Sequence, residues 1–120
     1  MKIYISGPIT GRDMAAVEMA FKEAEQKILD RGHVPVNPFT LSQQMPEDST
    51  WIEYMRNDIP MLVHCDAILL LPGWIYSSGA KLEYEIATGM HMLIYDQTVK
   101  IPFTAERKRE RRKYGQMKTE

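Results

Sequence analysis

Asp66-Ala67-Ile68-Leu69-Leu70-Leu71-Pro72-Gly73 sets five consecutive apolar residues between an aspartate and a proline–glycine turn. A short apolar run without polar alternation is what a parallel strand buried on both faces requires, so this stretch is the expected centre of a sheet. Upstream, Lys2 to Ser6 alternates polar with apolar residues and stops at Gly7-Pro8, which reads as a first strand. From Asp13 the apolar positions Val17, Phe21, Ala24 and Ile28 recur at helical spacing, with Gly32 placed just past the end. A helix over roughly 14–31 follows, with Asp13 as its N-cap. His33-Val34-Pro35-Val36-Asn37-Pro38 fits a second strand running out into a loop that continues to Ser49.

Thr50 and Glu53 have capping-box spacing, so another helix starts there and runs toward His64, with a kink or restart near Asn57-Asp58 because Pro60 interrupts it. Downstream of the central run, a helix is expected from about Ser78 to Met90, then a strand over His91 to Tyr95. Val99 to Phe103 suits an edge strand. The order β-α-β-α-β-α-β predicts one α/β domain over residues 1–105, Rossmann-like (flavodoxin-like), with a parallel sheet of four to five strands and helices on both faces.

The 120 residues carry a net charge of −1, which hides an asymmetry. Residues 1–105 hold 8 basic and 13 acidic residues, whereas residues 106–120 hold 7 basic and 3 acidic. This basic C-terminal tail lacks aromatic interleaving, so a solvated tail or a subunit-contacting helix is expected in preference to a nucleic-acid interface. Neither a secretory h-region nor an apolar span of membrane length is present, and Cys65 has no partner cysteine for a disulfide or a metal site. Those features imply a cytoplasmic protein without a metal or other cofactor.

Ligands of open parallel sheets bind outside the carboxyl ends of the strands. Three segments project there. Ser6-Gly7-Pro8-Ile9-Thr10-Gly11-Arg12 lets the backbone approach a ligand near a helix N-terminus, although it also reads as a plain strand-to-helix turn. Ser77 and Ser78 open the helix that carries Glu83; they suit capping or a phosphate or sugar hydroxyl equally. Glu83 and Glu85 lie about 200° apart on that helix, so only one can face the crevice, and Glu83 falls near the edge of the buried side marked by Ala80, Ala87 and Met90. Asp58 sits beside the proline break, where an exposed residue or local cap is the ordinary reading.

Three patterns occur in order: Tyr4-Ile5-Ser6-Gly7-Pro8-Ile9; Asp58, Leu62 and Asp66 before the apolar strand; and Ser77, Gly79, Glu83 and Ala87. Over residues 2–95 the chain thereby resembles the nucleoside 2-deoxyribosyltransferase-like superfamily, which includes 2′-deoxynucleoside 5′-phosphate N-hydrolases. The resemblance implies that Glu83 attacks the anomeric carbon of a deoxyribose, that Asp58 assists departure of the base, and that Tyr4 orients Glu83. It also implies a nucleoside or nucleotide ligand held by Gly7, Ile9, Arg12, Ser77 and Gly79, with Arg12 and Ser77 toward the sugar's 5′ end.

Glu85 stands where better-known members of that superfamily commonly have glycine, and the bulky Trp74 and Tyr76 lie in the loop before the helix. They keep a second reading open, a catalytically idle module that senses or sequesters a nucleotide. Trp51, Tyr54, Met55, Met61, Met90 and Met92 exceed what one small sheet can cover, which predicts a homo-oligomer. The alternative is that Trp51 and Tyr54 close the long loop over their own crevice.

Overall fold

Four parallel strands, β1 (Lys2–Ser6), β2 (Val34–Val36), β3 (Ala67–Leu70) and β4 (Leu93–Tyr95), form a sheet in the order β2-β1-β3-β4. The computed structural model describes residues 1–119, with side-chain surroundings as far as Lys113. Helices α1 (Met14–Asp30), α2 (Pro38–Leu41), α3 (Trp51–Val63), α4 (Ser78–Gly89) and α5 (Ala105–Thr119) complete it, and a short 3₁₀ turn at Trp74–Tyr76 precedes α4. This is the expected α/β flavodoxin-like domain. Among the described residues, no helix is long and apolar enough to cross a membrane.

Register explains the two faces. Ile3 pairs with Ala67 and Ile5 with Leu69, and these four side chains pack with Val17, Phe21, Ala24 and Ile28 of α1. Because side chains alternate along a strand, Tyr4, Ile68 and Leu70 face the other way, against Leu62 of α3 and Ala87 of α4. The chain leaves β1 for β2 on one side and reaches β3 on the other, so the carboxyl ends of β1 and β3 flank the switch point of the sheet.

Local chemistry sets the helix ends. Gly32 adopts φ +88°, and the Gly32 and His33 amides donate to Leu29 and Ile28, closing α1 with a Schellman motif. Asp13 occupies the N-cap of α1 without a side-chain cap bond. Thr50 and Glu53 form the reciprocal capping box that opens α3.

Three expectations are corrected. The helix containing Pro60 runs from Trp51 to Val63 without a restart at Asn57-Asp58. Pro60 lies on its exposed side, where water can satisfy the carbonyl that loses its amide partner. Part of the stretch read as loop is α2, opened by the Asn37 side chain, which accepts from the Thr40 amide, and by Pro38 at its first position. Val99 to Phe103 forms no fifth strand. Two of its carbonyls are taken by side chains instead: Ile101 accepts from Arg31 and Pro102 from the ring of His33, while Pro102 has no amide to offer a ladder. Ile101, buried, adds to the core on the α1 face.

Phe21, 1% exposed, packs on Phe39 with ring centroids 5.9 Å apart and ties α1 to the chain leaving β2. Phe21→Ala should therefore cost about 3–5 kcal/mol of folding free energy in urea titration. A loss below about 1 kcal/mol would contradict this packing.

Candidate active site

Glu83 owes its position to the small residues around it. Ala80, Glu83 and Ala87 are the buried residues of α4, spaced three and four apart, so the helix lies close on the sheet with the carboxylate among the apolar side chains. Ser77 accepts from the Ala80 amide as N-cap and fixes where α4 begins. Glu83 is only 6% exposed, deeper than the edge position its spacing suggested. Period-two alternation turns Tyr4 and Ser6 of β1 toward it. Tyr4 Oη donates to Glu83 Oε2, and Ser6 Oγ donates to Oε1 at 2.8 Å.

Burial pushes the Glu83 carboxyl up to about 7; the Tyr4 and Ser6 hydrogen bonds work against that rise and the nearby Asp58 charge adds to it. Tyr4 is held far above the ordinary phenol range, first by burial and then by the Glu83 and Asp58 charges. It is a hydroxyl donor at every accessible pH. Ser6 went unassigned in the sequence, although its place two residues after Tyr4 puts it on the same strand face.

Asp58 comes from α3, whose buried positions are Met55, Asp58 and Leu62. It is thus part of the inward stripe of the helix rather than an exposed residue at a break. Its Oδ1 accepts from Ser42 Oγ at 2.9 Å and from Asn57 Nδ2 at 3.1 Å. Burial raises the Asp58 carboxyl above its usual range, and these two donors oppose the rise. Ser42 lies 16 residues upstream at the end of α2, and no sequence pattern connects it to Asp58.

Glu83 and Asp58 line one cavity of about 470 Å³ at the carboxyl ends of the strands, with Gly7, Ile9, Ser77 and Gly79. Tyr4 is fully buried behind Glu83 and does not reach the cavity. Phe39, Trp51 and Tyr54 supply aromatic wall, so Trp51 and Tyr54 do cover their own crevice. Met55 is buried, Met61 and Met92 pack against the core, and Trp51 and Met90 stay exposed. A Cβ on Gly7 would lie 2.9 Å from Cβ of Leu71, which is why the turn after β1 takes glycine.

Arg12 stands apart from this cavity, in an adjoining cleft with Thr10, Gly11, Ser77, Ser78 and Gly79 at the N-terminus of α4. Thr10, Trp51, Ser77 and Gly79 border both spaces. A larger groove of about 640 Å³ runs between α1 and the Asp96–Ile101 loop. Asp96 there is held below the usual carboxylate range by its own turn, first through the Val99 amide and then through Thr98. None of the polar residues lining that groove is buried, so it lacks the enclosed carboxyls of the smaller cavity. Among the described residues, no cluster of three or more His, Cys, Asp or Glu is arranged to hold a metal ion.

Residues 1–96 match the family model described as Domain of unknown function (DUF4406). The chain belongs to this family. Among solved structures the chain is similar to, for example, a 2-deoxyribosyltransferase from the psychrotolerant bacterium Bacillus psychrosaccharolyticus, with a TM-score of 0.61 and 20% sequence identity. The match covers 84% of this chain and 76% of that one, and at such identity it establishes the shared fold. No curated protein matches the sequence.

In this DUF4406 domain the buried Glu83 should make stability depend on pH. Its folded value of about 7 lies above the ordinary 4.5, so the folded state holds the proton more tightly. The resulting stabilisation is complete below about pH 4.5 and is lost as pH rises through about 7. Glu83→Gln does not titrate. Relative to that variant, the parent should lose up to about 3 kcal/mol between pH 4.5 and 8 by chemical denaturation. Parallel pH profiles for the two proteins would show that Glu83 is not desolvated.

Proposed function

We propose that this DUF4406 protein cleaves or transfers the N-glycosidic bond of deoxynucleosides or deoxynucleoside 5′-monophosphates, with Glu83 as nucleophile. The observation that carries this reading is the pair of buried carboxyls facing one nucleoside-sized cavity, one of them pinned by two hydroxyls from β1. Separation of base from sugar passes through an oxocarbenium-like state that a carboxylate stabilises or traps. Tyr4 and Ser6 are positioning residues that hold Glu83 so that its carboxylate meets the anomeric carbon. The aromatic wall of Phe39, Trp51 and Tyr54 offers stacking surface for a base.

In the proposed sequence a Glu83 oxygen bonds to C1′ as the C1′–N bond breaks, and its electron pair leaves with the base. Asp58, protonated, gives that base nitrogen a proton. Water, losing a proton to the Asp58 carboxylate, then attacks C1′ and releases Glu83; a second base in place of water gives transfer. Productive enzyme therefore carries one proton between the two carboxyls, on Asp58, with Glu83 in the ionised form that it takes as pH rises through about 7.

The idle-module reading rested on Glu85, Trp74 and Tyr76. Glu85 is exposed, and Trp74 packs on Tyr84 with centroids 4.7 Å apart, so neither enters the cavity. Tyr76, 85% exposed, lines only the adjoining cleft. That cleft, with Arg12 and the N-terminus of α4, suits a 5′-phosphate. A homo-oligomer belongs to the same proposal, since Trp51, Ile52, Tyr76 and Met90 remain exposed on α3, α4 and the turn between them.

Chromatography of each deoxynucleoside and deoxynucleotide after incubation with the protein tests the reaction. Free base should appear, Glu83→Ala should reduce its release by at least about a thousandfold, and Glu85→Ala should leave it within about twofold. Equal losses in the two variants would remove Glu83 from its role. If Arg12 holds a phosphate, monophosphates should be preferred over nucleosides by about one to two decades, and Arg12→Ala should erase the difference. Equal parent rates on both substrate classes would reject the phosphate site.

A further inference from the structure

The two oxygens of Asp58 are not equivalent. Oδ1 accepts both Ser42 Oγ and Asn57 Nδ2. Asn57 Nδ2 also donates to Ser42 Oγ at 3.0 Å, so the serine receives one hydrogen and passes its own to the carboxyl. The chain of donors runs one way, from Asn57 through Ser42 to Asp58. Oδ2 has no protein partner among the described residues and is not sealed from solvent, and Asp58 lines the cavity. An oxygen already accepting two hydrogens is a poor place for a third.

We propose that Ser42 and Asn57 are positioning residues that direct the acid hydrogen of Asp58 to Oδ2, toward the base of a bound nucleoside. The inference rests on the glycosidase reading above and deepens it. During base departure the hydrogen on Oδ2 passes to a base nitrogen while the C1′–N electron pair leaves with the base. The resulting carboxylate keeps its two donors on Oδ1 and regains the hydrogen from the attacking water. Burial favours the neutral acid and the two donors favour the carboxylate, so the pair sets a balance between holding and giving the proton. Glu83 and Tyr4 are the other titratable groups that feel the Asp58 charge. Ser42 ends α2, so the same hydroxyl fastens the segment after β2 to α3.

Two measurements on the full chain test this. The first is a ¹³C NMR titration of the Asp58 carboxyl without substrate, in the parent, Ser42→Ala, Asn57→Ala and Ser42→Thr proteins. Loss of a donor should move the Asp58 titration upward by roughly half to one unit in both alanine variants, and Ser42→Thr, which keeps the hydroxyl, should restore the parent value. An unmoved titration in Ser42→Ala overturns the proposal. The second compares release of guanine with release of 7-methylguanine from the corresponding deoxynucleotides, because the methylated base leaves without needing a proton. Ser42→Ala should depress guanine release at least about tenfold more than 7-methylguanine release. Equal losses on the two substrates also overturn it, since a merely structural role would affect both. If the parent releases neither base while the titration shifts as stated, the positioning of Asp58 stands and the glycosidase reading falls.

Discussion

A carboxylate buried at the carboxyl end of a parallel sheet must find hydrogen-bond donors or lose its charge, and the site of this domain is organised around that constraint. Glu83 finds its donors on β1, where Tyr4 and Ser6 project to the same face of the sheet. The arrangement requires α4 to lie close, which Ala80 and Ala87 permit, and it requires a tight exit from β1, which Gly7 provides against Leu71. Core packing and site geometry are therefore the same set of contacts on this face. A larger residue at Ala80 would lift the carboxylate from its donors as it opened the helix–sheet interface.

Asp58 is governed differently. Its donors come from the end of α2 and from its own helix, so the second carboxyl depends on how the segment after β2 folds back over the sheet. That dependence gives the two acids separate supports. Glu83 is fixed by the most buried part of the molecule, and Asp58 by a half-buried serine at the surface. Burial is the leading cause of the upward shift in both, and the Asp58 charge adds to that of Glu83. Within the proposed mechanism this permits one group to be ionised while the other keeps a proton.

The sheet stops at four strands. The segment Val99 to Phe103 spends the Ile101 and Pro102 carbonyls on Arg31 and His33, and it seals the α1 face with Ile101 rather than extending the sheet beyond β4. α5 follows directly and carries basic residues of the tail, with its Arg111 and the body's Arg31 both placed over the Phe103 ring. The site at the β1–β3 switch point takes none of its lining residues from the segment after β4.

The sequence by itself determined the architecture, because the apolar run at Ala67–Leu70, the alternation of β1 and the helical spacing in α1 are local patterns with a single period each. The family resemblance carried by its motifs pointed to Tyr4, Asp58 and Glu83. Only the tertiary structure decided how deeply Glu83 is buried, since that depends on how closely α4 approaches the sheet. The same holds for the pairing of Ser42 with Asp58 across 16 residues of loop and helix, which no periodicity encodes. Pro60 and the would-be fifth strand were misread for a related reason. Local propensity names what a segment prefers, while exposure to water at Pro60, and side chains of Arg31 and His33 waiting for the 101–102 carbonyls, settle what it does.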